Sequence, residues 1–576
     1  MALNILGISA FGYNPGAALL RDGDLVAFAE EERFTRIKAS HGAFPIRSIE
    51  YCLRAEQIDL DGVDVIAMGW DCEKYRAHMA AFFAEGAKRF GDKGDATRAW
   101  ERNCLSVYDP DRVRARIAEA FAARGFRQKL PELRFVDHHL SHAASAFFPS
   151  GFGQAAVLTI DGSGEDRTTC IYRGAGADLT LLDHYQIPDS LGWFYSSITQ
   201  FCGFQHNMDE GKLMGLAPYG KPDARLSDVM DRIVRLDAGR YAIDPMYTYY
   251  GPHFAGRGFA RKLADALGEP HERGRGEHGA FYRDVAWAAQ DKLEQVGLEL
   301  TRQAMQKAGS RNLCLAGGVA LNCKMNGAIN QRAGVDEFFV QPVSSDAGTA
   351  IGAALWTHRE QTGARPAFVQ QHLYYGPEFT DDQIERALRA CKLPVNRRPD
   401  IARDVADRIA AGKLCCWFQG RMEAGPRALG HRSILANPAD PEMKAKLNAE
   451  VKHREMWRPF CPSLLAERRG DWLIDSDDAP YMVVAQQARP DQAHRIPSVV
   501  HVDGSVRPQM VHAHLEPLFH RLIANVEALT GAPMVVNTSF NVMGEPIICT
   551  PQEAVRCFYS TGLDVLGIGS FLLEKP

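Results

Sequence analysis

The sequence has 576 residues, 46% hydrophobic and 24% charged, with 66 Lys and Arg against 71 Asp and Glu and a formal net charge of −5. That length exceeds what one core supports and favours two to four domains, and the composition excludes disordered, fibrous and membrane-embedded classes. The acidic balance argues against a duplex nucleic-acid partner, because phosphate binding usually shows as a basic excess.

The 13 cysteines are scattered without a C-x-x-C pair, and several sit in apolar runs such as Asn312 to Ala316 and Lys413 to Phe418. Reduced, buried thiols fit that placement better than a disulfide framework. No basic segment precedes the first apolar stretch, which Gly7, Gly12 and Pro15 interrupt, so no signal peptide is expected. No window reaches the roughly 18 uninterrupted apolar residues of a membrane span. The expectation is a cytoplasmic protein with no membrane partner.

In chain order, Asn4 to Ser9 reads as a strand, followed by a Gly/Asn/Pro turn, a strand over Ala17 to Leu20, the turn Asp22-Gly23 and a strand over Leu25 to Ala29. The same grammar returns roughly 150 residues later. Ala155 to Ile160 is a strand, Asp161-Gly162-Ser163-Gly164 a turn, and Thr168 to Tyr172 and Leu179 to Tyr185 are further strands. Repetition at that scale predicts a duplicated α/β unit of the actin and sugar-kinase kind, with nucleotide held between the halves. Tyr241 to Gly279 reads as an insertion with little regular structure, and Val285 to Lys307 as a long amphipathic helix. Two strand–turn–helix passages follow, Asn312 to Ala316 into Gly317-Gly318 and Phe338 to Val343 into Ser344-Ser345-Asp346. A Gly/Pro-bearing linker near Thr362 to Phe368 then separates an N-terminal domain, 1–361, from a second α/β domain, 368–576.

Several residues are candidates for chemistry. His138 and His142 fall four apart at the start of a helical run, on one face, at a spacing that one metal ion can bridge. A lone pair of this kind is more often a capping or exposed pair. Asp161 and Asp346, however, each stand where a buried strand ends in a Gly/Ser turn, and a carboxylate aimed into a cleft there needs a cation. Together the four compose an open divalent site able to polarise a carbonyl, although spacing does not show that they meet. The turns Asp161–Gly164, Gly317-Gly318 and Ala347-Gly348-Thr349 can turn backbone N–H groups toward phosphate. None matches G-x-G-x-x-G or the P-loop pattern. In the second domain Arg421, Arg427 and Arg432 lie among turn formers, with Lys452, Arg454 and Arg458 following, an arrangement suited to gripping a compact anion. Lys444 and Lys446 read as a solvated helix face. Asn537-Thr538-Ser539-Phe540-Asn541 follows the strand Met534 to Val536 and offers short polar groups at a strand end.

Seven segments, in this order, carry a resemblance along nearly the whole chain. They are Glu30-Glu31-Glu32-Arg33-Phe34-Thr35-Arg36, His138-His139-Leu140-Ser141-His142-Ala143, Glu210 to Gly220 (EGKLMGLAPYG), Gly317-Gly318-Val319-Ala320-Leu321-Asn322, Gly425-Pro426-Arg427-Ala428-Leu429-Gly430, Arg458-Pro459-Phe460 and Asn537 to Asn541. With them the chain resembles the carbamoyltransferase family of the nodulation-factor, tobramycin and cephamycin O-carbamoyltransferases. The resemblance implies an actin-like N-terminal domain related to threonylcarbamoyl-transferring proteins and a YrdC-like C-terminal domain. It implies that carbamoyl phosphate and ATP, with magnesium, give carbamoyl-adenylate on the second domain. The carbamoyl group then passes to a hydroxyl of a small molecule at a divalent metal, expected to be iron(II), on the first.

On the matching positions His138, His142, Asp161 and Asp346 would be metal ligands. Arg427, Lys452, Arg458, Asn537 and Ser539 would hold carbamoyl phosphate. Lys38, Glu210, Gly317, Gly318 and Asn322 would lie near the adenylate, with His138, Lys38 and Asp161 in catalytic roles. A homodimer is compatible with all of this. Many relatives carry a His-Asp pair in the first turn where this chain has Tyr13-Asn14-Pro15-Gly16, so deprotonating the acceptor would fall to another base. The acceptor, expected to be a secondary metabolite, would meet variable loops such as Tyr247 to Arg257. The alternatives are a tRNA threonylcarbamoyl transferase, which the acidic balance disfavours, and a non-catalytic actin-like nucleotide-binding protein, which leaves Arg427, Arg458 and Asn537 without a role.

Overall fold

The computed structural model describes residues 2–90, 95–248, 257–274, 276–474 and 477–575. The chain forms two compact units, Met1–Glu31 with His41–Gln370, and Glu32–Ser40 with Gln371–Pro576. The second unit therefore includes nine residues from near the start of the chain.

The N-terminal unit is a topological duplication. Its first sheet consists of β1 (Asn4–Ser9), β2 (Gly16–Arg21), β3 (Asp24–Glu30), β4 (Val65–Met68) and β5 (Glu132–Phe135), in spatial order 3-2-1-4-5. β1 to β3 form an antiparallel meander, and β4 and β5 extend β1 in parallel. The second sheet repeats this with β6 (Gln154–Gly164), β7 (Arg167–Ala175) and β8 (Asp178–Gln186). After the small ribbon of β9 (Val234–Asp237) and β10 (Arg240–Ile243), β11 (Leu313–Ala316) and β12 (Phe338–Val340) join β6 in parallel. The directions match strand for strand, which is the actin-like arrangement that the repeated turns foretold.

Two helices, His138–Phe147 and Ala347–Thr362, pack on each other; the first contacts β6 and β11, the second β1, β2 and β4. Their small residues explain how they fit. A Cβ on Gly352 would stand 1.7 Å from the Ser141 carbonyl oxygen. Close approach of this kind excludes larger side chains, as dense interior packing requires. The helix Ala280–Ala308 covers the other face of β6, so Ala155 to Ile160 are buried on both sides. That continuous apolar run is the expected signature of a strand covered on both faces.

Several elements differ from the sequence expectation. β6 continues through Asp161 to Gly164 with a register shift, so the expected turn is the irregular end of a strand. β12 stops at Val340, three residues early. Tyr241 to Gly279 carries part of β10 and the helix Arg261–Leu267, while residues 249–256 and 275 lie outside the described residues.

The C-terminal unit is built on a seven-stranded mixed sheet. Its strands are β13 (Cys415–Phe418), β14 (Arg432–Ala436), β15 (Cys461–Leu465), β19 (Gln509–Val511), β20 (Met534–Ser539), β21 (Val565–Ile568) and β22 (Phe571–Glu574), in the order 19-15-20-14-13-21-22. A small sheet of β16 (Leu473–Ile474), β17 (Gln486–Ala488) and β18 (Ser505–Val506) lies beside it in sequence. Alternation along β13 sends Cys416 and Phe418 into one core and Cys415 and Trp417 into the other, against the helices Ile401–Ala410 and Pro517–Thr530.

All 13 cysteines are free thiols, with Cys391 exposed, Cys104 half-buried and the rest buried. No helix among the described residues is long and apolar enough to cross a membrane.

Candidate functional site

Two histidines and two aspartates meet in the N-terminal unit. Asp137 caps the helix His138–Phe147, its carboxylate accepting from the Leu140 N–H at 3.0 Å. The first turn of that helix then presents His138 and His142 on one face. Both Nε2 atoms lie 3.1 Å from Asp161 Oδ2, and 3.1 Å from each other. Asp346 Oδ1 lies 3.9 Å from His138 Nε2. One ligand atom from each of the four falls within 4.8 Å of the others.

The surroundings orient these groups. His138 Nδ1 donates to the Gly69 carbonyl at 3.1 Å, so Nε2 is the nitrogen turned toward Asp161, and its lone pair is bare only in the neutral ring. Asp161 Oδ1 accepts from the Gly162 N–H at 2.7 Å and the Gly318 N–H at 3.1 Å, which leaves Oδ2 to the imidazoles. Gly317 takes φ +92°, and a Cβ there would meet the Ile160 carbonyl oxygen at 2.3 Å. The Gly317-Gly318 turn thus serves Asp161, and the Gly318 N–H is not turned toward phosphate as the sequence had suggested. Gly164 is equally constrained, since a Cβ would stand 2.4 Å from the His138 ring.

The electrostatics favour a cation at this point. Burial opposes charge on His138, but the hydrogen bond to Asp161 and the charges of Asp346, Asp161 and Glu165 outweigh it and raise its pKa to about 10. Burial and the His138 charge lower the pKa of His142. Asp161 is held well below the usual carboxylate range because the two imidazoles overcome its burial. Burial raises Asp346, and the Asp161 charge adds to that. A proton on His138 stands where a metal would neutralise the two carboxylates. Two imidazole nitrogens with two carboxylates form a donor set that divalent iron, manganese or zinc accepts, so the residues present fit the implied metal.

Sequence reasoning missed the groups behind this cluster. Glu165 accepts from the His138 N–H at 3.1 Å and the Asp71 N–H at 2.7 Å, and burial with the Asp137 charge raises its pKa to about 8. Lys74 pairs with Asp137 at 2.6 Å and Asp166 at 3.0 Å. Neither lies in a recognisable motif, and the turn containing Gly69 is a distant part of the chain, so no local signal could have found them.

The residues expected near adenylate make contacts of their own within the protein. Glu210, in the first turn of the helix Glu210–Leu216, accepts from the Asn207 N–H at 2.5 Å and from Ser196. Asn207 in turn donates to Tyr13 Oη at 2.8 Å. Asn322 caps the helix Cys323–Arg332 and exchanges amide hydrogen bonds with Gln290 at 2.9 and 3.0 Å, so its side chain holds structure. Lys38 is exposed and stands in the segment that belongs to the C-terminal unit.

In that unit Lys452 ends a single π-helical turn and is 4% exposed. Its ammonium group donates to Asn541 Oδ1 at 2.8 Å, the Asn541 carbonyl at 3.0 Å, Ser539 Oγ at 3.4 Å and the Ser539 carbonyl. These partners are neutral, and burial with the charges of Arg454 and Arg458 pushes its pKa well below that of an ordinary lysine. Arg454 donates to Asn448 Oδ1 at 2.7 Å; burial and the Arg458 charge lower it to about 9. Three basic side chains therefore gather here, with Glu455 3.9 Å from Arg458, and an anion would favour their charged forms.

Arg427 lies in a loop clasped from several sides. Glu423 Oε1 accepts from the Leu429 N–H at 2.8 Å and the Arg432 N–H at 3.1 Å. Gln509 Nε2 and Tyr374 Oη each donate to the Leu429 carbonyl at 2.8 Å. Asn537 lies inside β20, beyond the expected strand end, and its amide nitrogen donates to the Ala428 carbonyl at 3.2 Å and Ser463 Oγ at 2.8 Å. It holds the loop with that donor, which is then not available to an anion. Arg432 is fully buried over Phe418 at 3.7 Å, with its donors on the carbonyls of Pro377, Gln419, Gly420 and His431. Arg421 likewise donates to the Tyr375 and Gly376 carbonyls. These two arginines are structural, contrary to the grouping made from sequence. Asn537 and Ser539, two residues apart on one strand, bring the Arg427 loop and Lys452 to the same strand end.

Comparison with known proteins agrees with this division. The family model described as carbamoyltransferase N-terminus matches residues 4–355, and that described as carbamoyltransferase C-terminus matches 406–575. A protein of Synechocystis sp., sll1178, is 38% identical over 605 residues, covering 99% of this chain and 97% of its own. The nodulation protein NolNO of Sinorhizobium fredii is 35% identical over 574 residues, covering 98% and 80%. Among solved structures, component A of (R)-2-hydroxyglutaryl-CoA dehydratase from Acidaminococcus fermentans aligns with TM-score 0.31 and 14% identity over 62% of this chain and 98% of that one. The chain belongs to the carbamoyltransferase family and is a transferase.

Proposed function

We propose that this protein is an ATP-dependent O-carbamoyltransferase that makes carbamoyl-adenylate in its C-terminal unit and transfers the carbamoyl group to a small hydroxylated acceptor at its N-terminal histidine–aspartate cluster. The observation that carries the reading is the pairing of two sites in one chain of this family: a convergent His138, His142, Asp161 and Asp346 set and a basic Lys452, Arg454 and Arg458 cluster whose members lower one another's pKa.

Carbamate is a poor electrophile because its nitrogen donates into the carbonyl, so it needs a good leaving group. Water would hydrolyse carbamoyl phosphate to phosphate and carbamate, and attack of a carbamate oxygen on the α-phosphorus of ATP would then displace pyrophosphate and leave carbamoyl-AMP. Lys452, Arg427 and Arg458, with Ser539 Oγ, would hold the phosphate by charge-assisted hydrogen bonds. Ser539 lies beside Lys452 through Asn541, to whose Oδ1 it donates at 2.7 Å. In the second half the acceptor oxygen attacks the carbonyl carbon, the bond to AMP breaks with AMP leaving as its phosphate anion, and the acceptor proton passes to solvent water.

A divalent cation held by His138, His142, Asp161 and Asp346, for which iron(II) fits the donor set, would supply Lewis-acid polarisation of the carbonyl. The Gly162 and Gly318 N–H groups would fix Asp161 throughout. With magnesium-ATP as co-substrate, the protein would work in the cytoplasm on an acceptor such as a secondary metabolite.

Phosphorus NMR of the protein with ATP, magnesium and carbamoyl phosphate tests this. AMP and pyrophosphate should appear only when carbamoyl phosphate is present. Pyrophosphate formed instead from bicarbonate and threonine would replace the reading with threonylcarbamoyl chemistry.

A further inference from the structure

The nine residues Glu32–Ser40 lie far ahead of the C-terminal unit in sequence yet belong to it. They fold as a tight strap. Glu32 accepts from the Ala39 N–H at 2.6 Å and pairs with Arg33 at 3.0 Å, and Thr35 and Ser40 share a hydrogen bond of 2.6 Å. Arg36, Ala39 and Ser40 take φ of 62°, 61° and 37°, a conformation that non-glycine residues adopt at a cost. Such a turn persists only if contacts elsewhere compensate for it.

Those contacts fall on two loops. Arg33, 2% exposed, donates from Nη2 to the Gly425 carbonyl at 2.7 Å, at the head of the loop that carries Arg427. Arg36 donates to the Ile547 carbonyl at 2.7 Å and the Pro546 carbonyl at 2.8 Å, and its Nε lies 3.4 Å from Glu553. Phe34 packs against Met422, Ile547 and Cys549, joining the two loops through one apolar contact. The second loop begins at Asn541, whose amide donates to the Glu545 carbonyl at 2.7 Å and whose oxygens receive Lys452. The strap thus touches one end of each loop, and the anion-site residues Arg427 and Lys452 meet those loops further along.

We propose that residues 32–40 are a working part of the C-terminal unit's anion site, with Arg33 and Arg36 as positioning residues that set the loops 425–430 and 541–547. The proposal rests on the reading of Arg427 and Lys452 given above. Arginine suits this task, because its planar fork can hold main-chain carbonyls in a fixed geometry, one for Arg33 and two for Arg36. The C-terminal unit's site is therefore incomplete in any fragment that begins at the linker.

The test uses the full-length chain with Arg33→Met, Arg33→Lys and Arg36→Met, and Arg397→Met as a reference on the exposed pair with Asp381. Carbamoyl phosphate affinity is measured by calorimetry, and amide hydrogen exchange is followed by mass spectrometry. The expected result is affinity weakened at least tenfold by Arg33→Met, restored in part by Arg33→Lys, and unaltered in Arg397→Met, with faster exchange confined to 425–432 and 540–548.

Wild-type affinity in both methionine variants, or exchange raised across the whole unit, overturns the proposal. If the wild-type protein does not bind carbamoyl phosphate, the functional reading fails while the strap is still judged. Loop-confined exchange upholds its positioning role, and unchanged exchange overturns it. Should Arg33→Met not fold, Arg36→Met applies the same criteria at 540–548.

Discussion

The two units arrange charge in opposite ways. In the N-terminal unit, regular elements aim four side chains of mixed sign at one point, and backbone N–H groups at irregular strand ends lock the central carboxylate. In the C-terminal unit, cations of one sign are gathered by loops whose carbonyls are clasped by Asn537, Gln509, Tyr374 and Arg33. The first arrangement has the donors that a metal cation would need; the second has the basic side chains that an anion would need. The lesson is that an arginine's partners decide its role: Arg432 spends its donors on buried carbonyls, whereas Arg427, five residues away in the same turn-rich segment, is the one proposed to meet an anion.

The sharpest test removes the shared atom of the first arrangement. Asp161→Ala should lose the bound metal in elemental analysis and lower transfer by about a thousandfold, the scale of several kcal/mol of lost charge stabilisation. Retained metal at full stoichiometry would break the contrast. Next comes the arginine pair. Arg432→Met should cost about 3 kcal/mol or more in chemical denaturation, since several buried carbonyls lose a charged donor. Arg427→Met should leave stability within about 1 kcal/mol while weakening carbamoyl phosphate binding by roughly 10- to 100-fold. Equal stability losses would mean that both arginines are structural.

The metal site should also respond to pH in a stated direction. The raised pKa of His138, about 10, means that below that pH the ring holds a proton which a metal must displace. Apparent metal affinity should therefore fall by about tenfold per unit as pH drops from 9 toward 7, read by competition with a chelator. A flat profile would show that no proton on His138 competes with the metal over this range. The smallest effect belongs to the second unit. Burial and neighbouring cations push Lys452 well below the lysine range, so an arriving anion should restore its charge. Carbamoyl phosphate binding should take up protons, seen as a heat that varies with the ionisation enthalpy of the buffer; proton release would have the sign wrong.

Much of this molecule can be read locally. Repeated strands and small-residue turns were enough to expect the duplicated N-terminal unit, because a period-2 pattern and a glycine turn are properties of short stretches. His138 and His142 were legible for the same reason, since helical geometry alone places residues four apart on one face. That Asp161, 19 and 23 residues beyond the two histidines, and Asp346, roughly two hundred beyond, join them depends on how strands and helices pack, and spacing carries no information about that. The same holds for Gly318, whose N–H serves a carboxylate, for Asn537, which serves a loop, and for residues 32–40, which serve a unit that follows them by more than three hundred residues. Local sequence sets which conformations each segment prefers, and long-range packing decides which polar groups spend their hydrogen bonds on structure and which remain for chemistry.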